Sequence, residues 1–314
     1  MLAYLGRRVL VAIPTLLLVS IFVFTLQKLL PGDPVLVLAG EERDPEVLKF
    51  LREKYRLNDP VIFQYFYWLG GVLTGDMGIS LRTNQPVTTL IAQKLPVTIQ
   101  LGVMSMIFAF LVGIPAGILS AAKKGTWTDY VANIIALSGL SIPNFWLGIM
   151  LILLVSVNLG WLPASGYEPF FDDPVQSLQT MIMPAFVLGT ALAAALMRHT
   201  RSSMLGVLEA DYVRTARAKG LRPFTVLFKH ALRNAIIPVV SLAAVQFGFM
   251  LGGSIVIETI FAINGLGFLA WESIQRADLP MMQAIVLVLS IFYIFLTFFA
   301  DMLNAFLDPR IRVA

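Results

Sequence analysis

Six long apolar stretches alternate with polar connections along the chain. Each is long enough to cross about 30 Å of hydrocarbon as a helix. Lys28 is the only charged residue in them, and its long side chain can reach the interface because it lies near the end of the first stretch. The pattern predicts six transmembrane helices, at residues 9–30, 97–121, 131–157, 178–197, 236–257 and 281–300.

The connection between the first two predicted helices, residues 31–95, is too long to be a turn. It opens on Pro-Gly-Asp-Pro, whose prolines restrict the backbone and end the first helix. Pro45 to Tyr55 has the apolar spacing of an amphipathic surface helix, and the aromatic residues of Val61 to Leu73 suit the outer interface. The segment is either a small cap on the helices or a docking surface for an external partner, and the pattern favours neither.

The connection between the fourth and fifth predicted helices, residues 198–235, lies on the opposite face of the membrane. Glu209 to Lys219 is predicted to be a short helix that Gly220 can end, and Pro223 suits the first turn of a second helix. This arrangement predicts a helical elbow. A basic loop at the inner face is most often only a determinant of topology, but a glycine between two short helices favours a docking element.

The surface of the elbow is expected to be basic and to have small side chains between the cations. In its first helix, Ala216 and Ala218 should leave room beside the cations for insertion into a groove of another protein. Its second helix has two stripes, so we expect it to lie along the inner membrane face. The mostly basic stripe comprises Arg222, Val226, Lys229 and Arg233, and the apolar stripe comprises Phe224, Leu227, Phe228, Ala231 and Leu232.

Small residues and prolines recur within the predicted spans. Gly113-x-x-x-Gly117 and Gly248-x-x-x-Gly252 allow helix backbones to approach closely in lipid. Prolines 115, 143, 184 and 238 are expected to kink or break helices. Around Pro143 the freed backbone groups need protein or a water-filled cavity, so the region is either a packing kink or a passage lining. The candidate passage residues are Ser138, Ser141, Pro143 and Asn144.

Composition and charge support a membrane protein and give it an orientation. The chain is 58% hydrophobic and 13% charged, with mean hydropathy +0.80, which excludes an ordinary soluble enzyme. Apart from Lys28, fourteen Lys and Arg residues lie on the face that carries both termini and eight on the other. By the positive-inside rule the termini are cytoplasmic, so the net charge of +4 needs no nucleic-acid partner.

Catalytic constellations are not evident in the sequence. It contains no G-x-x-x-x-G-K-[ST] loop for nucleotide, no cysteine and only two histidines. We therefore expect no metal site, no cofactor bound by this chain and no enzymatic activity of its own.

Several strings together resemble a known family across essentially the whole chain: the permease subunits of binding-protein-dependent ATP-binding cassette importers, in the dipeptide, oligopeptide, glutathione and nickel branch. They are Leu30-Pro31-Gly32-Asp33-Pro34, Gly75-Asp76-Met77-Gly78-Ile79-Ser80, Tyr212 to Gly220, His230-Ala231-Leu232-Arg233-Asn234-Ala235, and Glu258-Thr259-Ile260-Phe261 leading to Gly265-Leu266-Gly267. The likeness is strongest to glutathione- and dipeptide-type permeases. It departs from the general family where the E-A-A string would fall on Arg214-Thr215-Ala216.

This resemblance implies an all-α polytopic protein with the type I importer permease fold and six transmembrane helices. Residues 1–94 would hold the first span and an extracytoplasmic segment, 95–305 a five-span core with its coupling loop at 198–235, and 306–314 a cytoplasmic tail. The residues implied to couple to an ATPase are Tyr212, Arg214, Thr215, Ala216, Arg217, Ala218, Lys219 and Gly220. Asp76, Ser80 and Glu258 are candidates for outer docking or gating.

The resemblance also implies the partners and the location. The partners are a second homologous permease, two ATP-binding cassette ATPases that use ATP and Mg, and an extracytoplasmic substrate-binding protein. The location is the bacterial inner membrane. The predicted function is import of short peptides. Import of nickel or another small solute by the same architecture is the alternative, followed by ion-coupled secondary transport, which the scarcity of charges in the spans disfavours.

Overall fold

The computed structural model describes residues 2–29, 35, 44–54 and 56–307. Helices dominate these ranges, in which Ile79 and Pro86 form an isolated β-bridge. The helices are α1 (Leu2–Leu29), α2 (Pro45–Lys54), α3 (Val61–Leu73), α4 (Val87–Ala122), α5 (Trp127–Ser141), α6 (Asn144–Leu151), α7 (Pro174–Leu208), α8 (Asp211–Ala218), α9 (Pro223–Thr225), α10 (Leu232–Ile260), α11 (Leu266–Gln275) and α12 (Leu279–Leu307). Ile152–Asn158 and Val226–Ala231 are π-helical.

The helix predicted at Pro45 to Tyr55 is confirmed as α2, and the aromatic stretch Val61–Leu73 is also helical, as α3; its place at the outer interface stays a prediction. The Pro-Gly-Asp-Pro turn and the chain after residue 307 lie outside the described residues. The division of the sequence at residues 94, 305 and 306 therefore stays a prediction.

Four helical stretches in the described part of the chain are long and apolar enough to span a membrane: α4, α7, Pro223–Gly248 and Leu279–Leu303. A fifth candidate is the pair formed by α5 and Asn144–Asn158, which bends by 98°. In α1 the apolar part is shorter and covers Leu10–Leu26. The protein is thus an all-α polytopic membrane protein, and the predicted count of six spans is consistent with these helices.

The bend between α5 and α6 lies at Pro143. Proline has no N–H to donate and disfavours helical backbone at the residue before it; Ile142 accordingly has φ −76° and ψ 122°. The expected break is confirmed here. Pro115, Pro184 and Pro238 instead lie inside helices that continue past them.

The chain divides into two compact units, of which the first comprises Met1–Leu5, Pro96–Phe268 and Tyr293–Ala314. Its central element is α7, which packs against α5, α6 and α10. Leu101, Met181, Leu196 and Phe261 are fully buried in its core. We refer to it as the core unit.

Close backbone approach accounts for one of the two glycine patterns. A Cβ on Gly113 would lie 2.5 Å from the carbonyl oxygen of Ala193, and one on Gly117 would lie 2.6 Å from that of Met197. These glycines let α4 touch the backbone of α7, as small residues do at helix contacts in lipid. The second pattern is confirmed only in part, because a Cβ would collide with Tyr293 at Gly248 but would meet no atom within 4 Å at Gly252.

The second unit comprises Gly6–Leu95 and Leu269–Phe292. In it the ring of Tyr65 packs edge-on against Phe24, with 5.5 Å between centroids, and its hydroxyl hydrogen-bonds Ser20 at 2.8 Å. Trp68 also packs against Phe24. Aromatic side chains therefore hold helix α3 on α1, and the phenol hydroxyl of Tyr65 has a hydrogen-bond partner there.

Candidate functional site

The predicted elbow is present in the core unit. After α7 ends at Leu208, α8 covers Asp211–Ala218 and α9 begins at Pro223. Gly220 joins the two limbs with φ +74°, a left-handed conformation that glycine adopts without the penalty that a Cβ would bring. The limbs are held together by a small apolar cluster of Val213, Ala216 and Val226, packed against Val207 and Leu208 at the end of α7.

That cluster corrects one expectation about the elbow surface. Ala216, predicted to lie on the exposed face with Ala218, is buried. It lies three residues after Val213, so the two share one face of α8, and that face packs on Val226. Ala218 is exposed, as expected. The helix-helix contact, and not the outer surface, is what requires a small residue at position 216.

The remaining residues implied to couple to an ATPase are brought together on the open side of α8. Tyr212, Arg214, Thr215, Arg217, Lys219 and Gly220 are all exposed. The Tyr212 hydroxyl accepts a hydrogen bond from Nδ2 of Asn234 at 2.8 Å, which ties α8 to the start of α10. The elbow thus presents a cationic surface, and its contacts with α7 and α10 hold its backbone in place.

The structure moves one residue out of the basic stripe predicted for the second limb. Val226, placed in the basic stripe, is buried, while Phe224 and Phe228 of the apolar stripe are 72% and 41% exposed. Their rings pack on each other with centroids 4.4 Å apart. Val226 is buried because it packs against Val213 and Ala216 of α8, and the contact between Phe224 and Phe228 puts both rings on one exposed face. The exposed surface of the elbow is therefore aromatic as well as basic.

The candidate passage residues lie at the break between α5 and α6. Ser138, Ser141 and Pro143 are exposed and Asn144 is half-buried. Hydroxyl groups and interrupted backbone are costly against acyl chains. Their exposure on this chain fits a surface that meets water or another protein.

A buried carboxylate organises the turn between α10 and α11. Glu258 is fully buried. Its Oε1 accepts from the hydroxyls of Thr98 at 2.8 Å and Ser254 at 2.9 Å, and its Oε2 accepts from the Phe268 N–H at 2.8 Å. The Leu266 N–H donates to Thr98 Oγ1 at 2.8 Å. This network fixes the turn and the start of α11 against α4.

Glycines allow the chain to pass close to that carboxylate. A Cβ on Gly265 would lie 2.5 Å from Thr98 Oγ1 and 2.6 Å from Glu258 Oε2, and one on Gly267 would lie 3.0 Å from the same Oε2. The Gly-Leu-Gly string is therefore explained by packing around Glu258.

In the second unit, Ser80 and Asp76 lie in different environments. Ser80 is buried and its hydroxyl donates to Oδ2 of Asp278, while the Leu81 N–H donates to Oδ1 at 3.2 Å. Asp76 is exposed, accepts from the Gly78 N–H at 2.9 Å and borders a cavity of about 230 Å³. Of the three outer candidates only Asp76 offers its side chain to a docking partner; burial removes Ser80 and Glu258 from that role and leaves gating as the prediction for them.

Four polar residues with buried partners were missed in the sequence. Arg201 counts there only toward the orientation of the chain, and neither Asp129, with which it forms an ion pair, nor Asp278 is singled out. Thr98 stands alone in an apolar stretch and gives no periodic signal. All of them acquire their role from a partner far away in the chain, which no local pattern reveals.

The comparisons with known proteins agree with this architecture. A family model for binding-protein-dependent transport system inner membrane components matches residues 113–313, and a model for the N-terminal part of such components matches residues 1–102. The chain belongs to this family of membrane permease components.

Relatives match over the full length. A glutathione transport system permease protein of Escherichia coli O6:H1 (strain CFT073) is 42% identical over 99% of both chains. A dipeptide transport system permease protein of Alkalihalophilus pseudofirmus is 40% identical over 99% of this chain and all of its own. Among solved structures, the methionine ABC transporter MetNI in an inward-facing form matches with TM-score 0.56 and 20% identity, over 70% of this chain and 96% of its own, which establishes the fold.

Proposed function

We propose that this chain is one of two permease subunits of an ATP-driven importer that carries short peptides into the cytoplasm. The observation that carries the proposal is full-length similarity, over 99% of each chain, to permeases named for glutathione and for other peptides. The exposed basic elbow supports it, because a transporter driven by separate ATPases needs a rigid contact through which their movement reaches the membrane.

The other subunits follow from this proposal. A second, homologous permease would complete the passage, two ATPases would bind the elbows and use ATP and Mg, and a binding protein outside would deliver the peptide. The elbow then lies in the cytoplasm, as do both termini, in agreement with the excess of Lys and Arg on that face. This chain would bind no cofactor itself.

The substrate class is tested by competition in cells that depend on the complex. Uptake of a radiolabelled dipeptide is expected to fall when the chain is deleted and to be reduced by unlabelled dipeptide or glutathione. Inhibition by nickel salts at micromolar concentration without inhibition by peptides would contradict the peptide assignment and favour a metal importer.

The passage is tested by thiol labelling, since the natural chain contains no cysteine. In the assembled complex Ser141→Cys and Asn144→Cys are expected to react with a charged, water-soluble maleimide. The control is Leu18→Cys in the apolar stretch of α1, where the native side chain is 66% exposed; it is expected to stay unlabelled because lipid surrounds it. Equal labelling at Leu18 and Ser141 would contradict the assignment of the break to the passage.

A further inference from the structure

An ion pair in the core unit joins helices that are well separated in sequence. Arg201 on α7 donates from Nε to Oδ1 of Asp129 and from Nη2 to Oδ2, both at 2.8 Å. The side chains are 26% and 5% exposed, respectively. Two parallel hydrogen bonds from one guanidinium fix distance and orientation together, which a single contact does not.

The other donors around the Asp129 carboxylate come from three neighbouring segments. The Ser120 hydroxyl at the end of α4, the Gly125 N–H in the following turn and Nδ2 of Asn133 on α5 all donate to it, the last two at 3.0 and 2.8 Å. Ser120 also accepts from Arg201 Nε at 3.1 Å. The buried carboxylate therefore has a hydrogen-bond donor from each segment around it. It joins the end of α4, the start of α5 and the stretch of α7 around Arg201 into one block.

Each helix leads from this block to one of the functional features. Along α7, Arg201 is followed two turns later by Val207 and Leu208, which pack against the apolar cluster of the elbow. Along α5, Asp129 is followed by twelve further residues that end at Ser141, next to the break. An exposed Lys124–Glu209 pair at 3.7 Å adds a weaker contact between the α4–α5 turn and the elbow.

We propose that Asp129 and Arg201 are positioning residues that transmit movement of the elbow to the break at Pro143. The proposal rests on the proposed function, in that the elbow is taken to be moved by an ATPase. When the elbow shifts, α7 moves with it because their apolar contacts are continuous, and the bidentate pair makes α5 follow. Without the pair, α7 slides past α5 and the passage no longer responds to ATP.

The test measures the response of the break itself. The complete complex is prepared with Ser141→Cys in this chain, and the rate of labelling by a charged maleimide is compared before and after addition of ATP, alongside the rate of ATP hydrolysis. With the pair intact, ATP is expected to change the labelling rate at least about threefold. Asp129→Arg and Arg201→Asp are each expected to abolish that change while hydrolysis continues. The double exchange Asp129→Arg with Arg201→Asp is expected to restore part of it, because the pair reforms with reversed sign while the Gly125 N–H and Asn133 lose their acceptor.

Conservative variants keep the test decisive if a single exchange prevents assembly. Arg201→Lys retains the positive charge but cannot donate two parallel hydrogen bonds, and it is expected to lose most of the ATP response. Lys124→Ala removes only the exposed ion pair with Glu209; it is the control and should retain the ATP response. An ATP response of normal size in Arg201→Lys, or in either single exchange, overturns the proposal. Because this readout needs no substrate, it is independent of peptide transport: a wild-type complex that responds to ATP but takes up no peptide contradicts the proposed substrate and leaves the proposed role of Asp129 and Arg201 unaffected.

Discussion

Replacing Gly220 with arginine is expected to abolish ATP-driven uptake while the chain still inserts and assembles. At φ +74° any side chain with a Cβ is strained by about 1–2 kcal/mol, and the α8–α9 turn relaxes by changing the angle between the two limbs. The arginine side chain would in addition project from the exposed surface of the elbow that is proposed to contact the ATPase. Uptake of labelled peptide and the amount of assembled complex in membranes are the two measurements.

Two matched variants separate backbone conformation from bulk. Gly220→Asn is expected to retain most of the uptake, since asparagine tolerates the left-handed region better than other residues with a Cβ. Gly206→Ala on α7 adds a methyl group where, as at Gly220, no atom lies within 4 Å, but in a helical conformation, and should leave uptake unchanged. Normal uptake by Gly220→Arg would show that the shape of the elbow does not matter for transport.

Replacing Glu258 with leucine is expected to cause the largest loss of stability. The Phe268 N–H and the Thr98 hydroxyl would lose their acceptor inside the core unit, and each buried donor left without a partner costs roughly 1–3 kcal/mol. The turn that holds α11 on α4 would open. The midpoint of thermal unfolding of the purified chain in detergent is therefore expected to fall by several degrees, and the yield of folded protein with it.

A graded pair of variants tests the cause of that loss. Glu258→Gln keeps the shape and one accepting oxygen, so its midpoint should lie between those of wild type and Glu258→Leu. Glu209→Leu removes a carboxylate whose pairing with Lys124 is exposed, and should shift the midpoint little. If Glu258→Leu unfolds at the wild-type temperature, the carboxylate network does not hold the turn.

Features with local causes were predictable from the sequence. The break at Pro143 follows from proline chemistry, and the elbow follows from Gly220 and Pro223, whose backbone preferences act within one turn of the chain. The spans follow from runs of apolar residues, and the close approach of some helix to α4 follows from Gly113 and Gly117, although only the structure shows that this helix is α7. Each of these signals needs no knowledge of a distant partner.

The buried face of the elbow was harder to predict because the two limbs cover each other there. Ala216 is small and flanked by basic residues, so its pattern suggests a surface, yet Val226 of the other limb covers it. Val226 in turn follows the spacing of the basic stripe, and its burial depends on Val213 and Ala216, which lie on the other limb.

The polar contacts of the core unit could not be predicted at all. Asp129 and Arg201 lie 72 residues apart, and Thr98 and Glu258 lie 160 apart. A charge near the end of a span has an ordinary explanation in topology, so nothing in the sequence distinguishes a paired residue from an unpaired one. The motif around Glu258 was recognised only through the family resemblance, and the reason for its glycines needed the structure.

We propose that this chain moves its solute only as part of an ATP-driven complex. The most direct measurement is uptake of labelled dipeptide into liposomes that contain either the chain alone or the chain with its second permease, its ATPases and its binding protein. Uptake is expected only in the complete assembly and only with ATP and Mg on the side of the elbow. No uptake is expected in liposomes with the chain alone under a proton or sodium gradient. Robust gradient-driven uptake by the chain alone would contradict the proposal.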